Sequence, residues 1–565
     1  MNTTKISHVA HLIEICVQHG VTKVVISPGS RNAPLIIGFD AHPKIEVFLV
    51  HDERSAAFFA MGMAEESKTP VAITCTSGSA PINYAPAISE AYYRNIPLVV
   101  LTADRPIELI DQGDGQTIRQ KNLFQNFIKG SFQLPNIPSD AEISLSDKIA
   151  NDALNLAVQI PKGPVHINIP LAEPLYATQD LATTPIITKS QETHPVFTEE
   201  DKAEVKKEWN RAQKKLILIG QIDPNELDII ILDSVLEDAS VAILVENTSN
   251  LQHFQRICHS IDRTLAIIGE DEVNDFAPDL LITMGGAIIS KKIKAFLRVN
   301  KPTVNWRVGH YLFEEDSFQS LTRSIRVKPA TFFEFIGSLE QSISSNFGGK
   351  WKQKDFLAAE IHGDYLAQAP FSDLKAFEII LDTVPDNSNI HMGNSSVVRY
   401  CQLFNPVRGM SYYGNRGVSG IDGSTSTAVG VANISKEKLN VIISGDTSFF
   451  YDSNAFWNNY LPSNLRVIVI NNGGGGIFKI IDGPNNSEQS HHFVAPFKAK
   501  IDAICAAFNI HYLVAKTTAE LDAVFHEFYE IKQDDRPVLL EVVTSAISNE
   551  KILKEYFLKI SESAK

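Results

Sequence analysis

Short β-branched apolar runs recur along the chain, each closed by a turn and followed by a helical stretch. "VTKVVIS", "IEVFLV", "VAITCTS" and "IPLVVLTA" have the length and make-up of buried strands. Between them, "SAAFFAMGMAEES" places small and apolar residues at helical spacing. Strand-turn-helix alternation of this kind predicts a parallel sheet covered by helices. It continues to "GPVHINIP" and then lapses. Residues 183–201, "TTPIITKSQETHPVFTEED", are polar, include Pro185 and Pro195, and read as a linker. A second alternating block follows, with strands "KLILIG", "VAILVE", "DLLITMGG" and "PTVNW". The pattern lapses again over 342–355, "SISSNFGGKWKQKD". The last block carries "LNVIIS", "LRVIVINN" and "PVLLEVV". The expected fold class is α/β, with three doubly wound parallel-sheet domains over residues 1–184, 185–345 and 346–565. No short repeat is visible, only this recurrence of kind.

Length agrees with that division, because 565 residues are too many for one core. With 44% apolar and 21% charged residues the chain has the composition of an ordinary soluble protein. Its net charge of -15 argues against nucleic acid and anionic membrane surfaces as partners. Any anionic substrate must therefore be held by local groups of Arg and Lys. The five cysteines are scattered with no CxxC pair, which disfavours a disulfide framework or a zinc site and fits a reducing cytoplasm. The N-terminus "MNTTKISHVAHLIEICVQHG" is too polar for a signal peptide. No apolar run approaches the roughly 20 residues that span a bilayer, so stable membrane insertion is not expected.

Chemistry concentrates at predicted strand ends. Asp446 directly follows "LNVIIS", and Asn472 follows "LRVIVI" and opens "NGGGG". Ligands of parallel sheets bind outside the carboxyl ends of strands. An aspartate, an amide oxygen and a free carbonyl in a glycine loop are hard oxygen donors that suit Mg2+ bridging to a diphosphate. The glycines let the backbone approach closely and present N–H groups to phosphates. The plainer alternative is a helix-capping Asp446 beside a loose turn. In "VFLVHDERSAAFFAMGMA", Glu53 falls where a strand gives way to a helix. Such a carboxylate is commonly a helix N-terminal cap. Set against a heteroaromatic ring, it could instead hold a proton on a ring nitrogen.

With "SGIDG" before "GD…NN" and "HDERSAAFFAMGMA" near the N-terminus, the chain resembles the thiamine diphosphate enzymes built from three α/β domains. More narrowly, "SPGSRNAPL", "TSGSAPINYAPAISEAYYRNIPLVVLTADRP", "GQTIRQ", "GNSSVVR" and "NRGVSGIDGSTSTA" resemble the SEPHCHC synthase family of menaquinone biosynthesis. The resemblance spans the whole chain and is faintest in the middle. It implies thiamine diphosphate and Mg2+ as cofactors, with Mn2+ a tolerated substitute, in a homodimer or dimer of dimers. The implied reaction decarboxylates 2-oxoglutarate and adds the succinyl carbanion to isochorismate. By resemblance, Glu53 bonds the pyrimidine ring and Ile421 supports the bent cofactor. Asp446, Asn472 and the Gly474 carbonyl hold the metal, and Ile477 and Phe478 line the cofactor pocket. Ser395 and Arg399 match the succinyl carboxylate site, with Arg416 beside the intermediate. Ser30, Arg31, Arg105, Gln116, Lys291 and Lys292 match positions around isochorismate. Within that set the resemblance counts Glu53, Arg31, Gln116, Arg399 and Arg416 as catalytic. Gly115 and Gly473 depart from the family pattern, which carries Asn, or Asp and Asn, there.

Forked guanidinium groups suit planar carboxylates, and two dianions beside a diphosphate need several of them. A pyruvate-using relative, such as an acetolactate synthase or a 2-oxoacid decarboxylase, would need a small apolar pocket in place of this arginine set. A non-catalytic nucleotide-binding protein on the same fold would not be expected to keep Glu53, Asp446 and Asn472 together.

Overall fold

The structure is a computed structural model and describes residues 2–136, 139–180, 184–191, 195–252, 256–310, 315–340, 345–480, 487–530 and 536–562. The runs Val71–Cys75, Leu98–Asp104 and Val441 to Ile443 are buried at every position. Continuous burial is what strands covered by helices on both faces require. Three parallel sheets result. The first runs, edge to edge, Glu46–Leu49, Lys23–Ile26, Val71–Cys75, Leu98–Asp104, Val165–Pro170 and Gly130–Gln133. The third runs Ser411–Tyr413, Asn389–Met392, Asn440–Gly445, Leu465–Asn471, Val538–Val543 and His511–Ala515. Numbered within each domain, both follow the order 2-1-3-4-6-5. The recurrence of kind seen in the sequence is thus a recurrence of topology. The central sheet has five strands in the order 2-1-3-4-5, from Val241–Val245 at one edge to Arg323–Arg326 at the other. A short antiparallel pair, Asn2–Thr4 with Thr178–Asp180, joins the start of the chain to the end of the first domain.

The first and third domains share one core. Phe58, Phe59 and Met63 from one, and Ala428, Val429, Phe449 and Phe456 from the other, belong to a single buried cluster. Its centre is the crossing of helices Glu53–Ser67 and Ser424–Ile434. A methyl group on Gly62 would sit 2.1 Å from the Thr427 carbonyl oxygen, and one on Gly430 would sit 2.0 Å from that of Phe59. The contacts are reciprocal, so the two helices meet about a local two-fold axis. Only glycine permits backbones this close.

Two sequence expectations are corrected. The segment read as a linker to 201 ends inside a helix, Glu199–Arg211, whose capping box pairs Thr198 with Asp201. The lapse over 342–355 falls partly outside the described residues, and its remainder opens the helix Phe347–Gln368. Gly348 is needed there because a Cβ would lie 2.0 Å from the Val241 carbonyl oxygen. That helix bridges two domains. Trp351 packs edge-on to Phe276 and Phe296, at 5.4 and 6.3 Å, while Ala358 and Leu366 enter the C-terminal core. Among the described residues, no helix is long and apolar enough to cross a membrane.

Candidate active site

In both outer sheets the strand order reverses beside the first strand, and site residues follow corresponding strands. In the first sheet Ser30 and Arg31 follow the first strand, Glu53 the second, and Arg105 and Gln116 the fourth. In the third, Ser395 and Arg399 follow the first, Arg416 the second, Asp446 the third, and Asn472 and Gly474 the fourth. Loops at such a reversal diverge and leave a crevice.

Glu53 is the first residue of its helix, yet it is not the cap. Asp52 fills that role, its carboxylate accepting from the Ser55 amide at 3.1 Å and from the Asn454 side chain at 2.6 Å. The Glu53 carboxyl is half-buried, and burial raises its pKa, opposed by its own backbone amide and reinforced by Asp52. Its charge reaches the buried Cys75 thiol and Tyr84 hydroxyl, both pushed up chiefly by burial.

Arg31 is buried. It donates to the Leu171 carbonyl at 2.9 Å and lies 3.5 Å from Glu173, while its Nε has no partner. Burial first, and Arg105 second, lower its pKa, so the two guanidinium groups face one region. Arg105 reaches the Gln116 side-chain oxygen at 3.5 Å. Gln116 itself has φ +56 and accepts from Ser77 at 2.9 Å. Ser30 is exposed on the same rim.

Asp446 is 2% exposed, and burial raises its pKa. One oxygen accepts from the amides of Gly473 and Gly474, each at 2.9 Å, and the other from the Thr447 amide at 2.5 Å. No basic side chain offsets it among the described residues. The glycine loop therefore departs from expectation. Its amides serve Asp446, the Val494 carbonyl and the Gly474 carbonyl, because a buried carboxylate and a tight turn claim the nearest donors. Gly473 and Gly474, at φ +87 and +132, require glycine. Asn472 donates to Asp373 at 3.0 Å, which leaves its amide oxygen free of hydrogen-bond donors among the described residues. A buried carboxylate with no basic partner among the described residues, an amide oxygen open to a ligand and a loop carbonyl fit a hard divalent ion.

Arg399, Lys291, Lys292 and Ile477 line one cavity of about 920 Å³ between the central and C-terminal domains. Arg399 makes no hydrogen bond or ion pair among the described residues. Lys292, exposed to solvent, rests 3.6 Å above the Phe557 ring. Ser395 carries φ +74 at the start of helix Ser396–Cys401, a strained geometry for a residue with a side chain. Arg416 lines a separate cavity of about 480 Å³, with Lys294, and donates to the Asn394 side chain at 2.6 Å. Ile421 lies half-buried, its carbonyl accepting from Ser448 at 2.7 Å. Phe478 follows Ile477 with its ring 6.0 Å from Phe493.

Several supporting groups escaped sequence reasoning. Asp373 is buried beside Asn472 and Thr544, and burial pushes its carboxyl up to about 6. Glu246 is buried and accepts from the amides of Ile289 and Ser290, each at 2.7 Å, so fixing the helix that carries Lys291 and Lys292. Burial pushes its carboxyl up to about 7. Lys294 faces the same Glu246, Arg416 and Arg399. Asp373 looks like an ordinary first-turn acid in "FSDLK", and no motif marks Glu246. Asn394 lies in "GNSSVVR" beside Ser395, and its residue type alone does not show that it braces a distant loop.

Residues 7–125 match the family described as thiamine pyrophosphate enzyme, N-terminal TPP binding domain. Residues 392–542 match its C-terminal TPP binding domain counterpart. The chain is 43% identical over 580 residues to a 2-succinyl-5-enolpyruvyl-6-hydroxy-3-cyclohexene-1-carboxylate synthase of Christiangramia forsetii, covering 99% of each chain. Proteins of the same description from Flavobacterium johnsoniae and Flavobacterium psychrophilum are 42% and 44% identical, again with 99% of both chains covered. A solved benzoylformate decarboxylase from Polynucleobacter necessarius shares the fold, with TM-score 0.71 and 17% identity over 95% of this chain and 98% of that one.

Proposed function

The chain belongs to the family of 2-succinyl-5-enolpyruvyl-6-hydroxy-3-cyclohexene-1-carboxylate synthases, thiamine diphosphate-dependent enzymes of menaquinone biosynthesis, and we propose the roles of its residues in joining 2-oxoglutarate to isochorismate with loss of carbon dioxide. When bound, thiamine diphosphate supplies the electron sink that lets a 2-oxoacid lose carbon dioxide. Asp446, the amide oxygen of Asn472 and the Gly474 carbonyl would hold Mg2+, or Mn2+ in its place. Ile421, Ile477 and Phe478 would line the cofactor pocket. Glu53 would hold a proton on the aminopyrimidine ring nitrogen, a task suited to a carboxyl that burial makes less acidic.

Ser395 and Arg399 would grip the distal carboxylate of 2-oxoglutarate, with Arg416 beside the reacting centre. Ser30, Arg31, Arg105 and Gln116, with Lys291 and Lys292, would receive isochorismate. The observation that carries this reading is Arg399, a guanidinium with no hydrogen-bond or ion-pair partner among the described residues, lining a cavity that also holds two lysines in an acidic protein. A homodimer is part of the proposal. In this fold the Glu53 domain of one protomer would face the Asp446 domain of its partner, so that the site forms between them. We place the enzyme in the cytoplasm.

The test is direct. The purified protein is mixed with thiamine diphosphate, Mg2+, 2-oxoglutarate and isochorismate, and the product is identified by mass. Absence of the adduct under conditions where pyruvate is consumed would point to the decarboxylase reading. Sedimentation showing a fully active monomer would overturn the dimer.

A further inference from the structure

Arg416 and Ile421 sit on one loop, residues 415–421, and the structure shows what fixes it. Glu90, on helix Ala85–Tyr93 of the N-terminal domain, is 1% exposed. Its carboxylate accepts from the backbone amides of Gly417 and Val418 at 2.7 Å each, and of Ser419 at 3.4 Å. From the other side, Asn394 donates to the carbonyls of Asn415 at 2.8 Å and Gly420 at 2.6 Å. The fit is tight. A Cβ on Gly417 would lie 2.7 Å from the Glu90 carbonyl oxygen. Ser419 is held at φ +63, a conformation that persists only where its surroundings impose it. Behind Glu90, the buried Arg94 is paired with Glu65, and its charge opposes the effect of burial on the Glu90 carboxyl.

We propose that Glu90 is a positioning residue, a carboxylate of the N-terminal domain that sets Arg416 and Ile421 of the C-terminal domain by clamping the loop between them. It touches neither cofactor nor substrate and acts through three amides. A loop free to shift would carry the guanidinium away from the reacting centre, and a displacement of about 1 Å can cost on the order of 10²-fold in rate. This rests on the role given above to Arg416.

Glu90→Gln is nearly isosteric but offers one acceptor oxygen and turns an NH2 group toward a backbone N–H. Hydrogen–deuterium exchange on the cofactor-free protein should quicken at least about 10-fold in peptides covering 415–421, since hydrogen bonds to charged groups of this kind are worth one to two decades. Peptides from the crossing of helices Glu53–Ser67 and Ser424–Ile434 should not change. In the loaded enzyme, kcat/KM should fall about 10- to 100-fold on the same grounds. A double-mutant cycle with Arg416→Lys then separates positioning from general damage. Glu90→Gln should do clearly less further harm once Arg416 is Lys, the remainder being what acts through Ile421. Gly417→Ala, which forces the loop off Glu90, should reproduce the pattern if Glu90→Gln folds poorly. Unchanged exchange over 415–421, or equal losses in both backgrounds, overturns the proposal. A harmless Arg416→Lys together with a harmless Arg416→Ala would instead sink the role of Arg416 itself.

Discussion

Replacing Glu53 by Gln separates a helix-terminal role from a proton-holding one. The structural side of the change is small. Asp52, not Glu53, satisfies the exposed amides at the helix start, through Ser55. What Gln loses is a charge near the positive end of the helix, typically about 0.3–1 kcal/mol. The sign of the remaining effect is opposite. The folded pKa of Glu53 is raised by burial, so above the unfolded value its ionisation opposes folding, and neutral Gln removes that penalty. The melting temperature should therefore move by no more than a few degrees. Activity should behave differently, because an amide cannot share a proton with a ring nitrogen. Proton transfers by positioned groups contribute about 10²–10⁴-fold in rate. The assay is exchange of the cofactor's C2 proton for deuterium in the two proteins, with cofactor binding measured alongside. Cofactor affinity should hold, since the proposed metal and diphosphate ligands belong to the C-terminal domain. Equal exchange rates in wild type and Glu53→Gln would refute the proton-holding role.

Arg399→Ala should raise the KM for 2-oxoglutarate about 10- to 100-fold, the range expected for one lost charge-assisted contact. The KM for isochorismate should change far less in the same steady-state titrations, and equal damage to both would contradict two separate carboxylate sites. Asp446→Ala should weaken cofactor binding steeply, with partial rescue by excess Mg2+, because it removes the only formal negative charge among the proposed ligands. Calorimetric titration showing unchanged affinity would misplace the metal. Asp452 is buried against Ser426, and burial pushes its carboxyl up to about 7. The folded state thus binds its proton more tightly than the unfolded one, and this group's contribution to stability falls as pH rises from its unfolded value, near 4, to about 7. Asp452→Asn should gain on wild type by up to about 1.4 kcal/mol per pH unit in that window, and denaturant melts showing a pH-independent difference would refute the assignment.

The chain's own pattern determined the three α/β units, since strands buried on both faces must be continuously apolar and turns must be polar. Motifs also singled out Glu53, Asp446, Asn472 and Arg399 as candidates, and the structure shows each of them following a strand of an outer sheet. Three things were not legible. The shared strand order of the outer domains leaves no repeat in residue identity, since many apolar sequences satisfy one topology. Gly348 falls in a stretch that reads as a break in the pattern, although it lets a helix pack where a Cβ would lie 2.0 Å from the Val241 carbonyl oxygen. No sequence signal marks Glu90 or Glu246, which folding sets against backbone amides far away in the chain. A carboxylate's role depends on which donors surround it once water is removed. Residue spacing along the chain does not contain that information, and only the packing of one domain on another decides it.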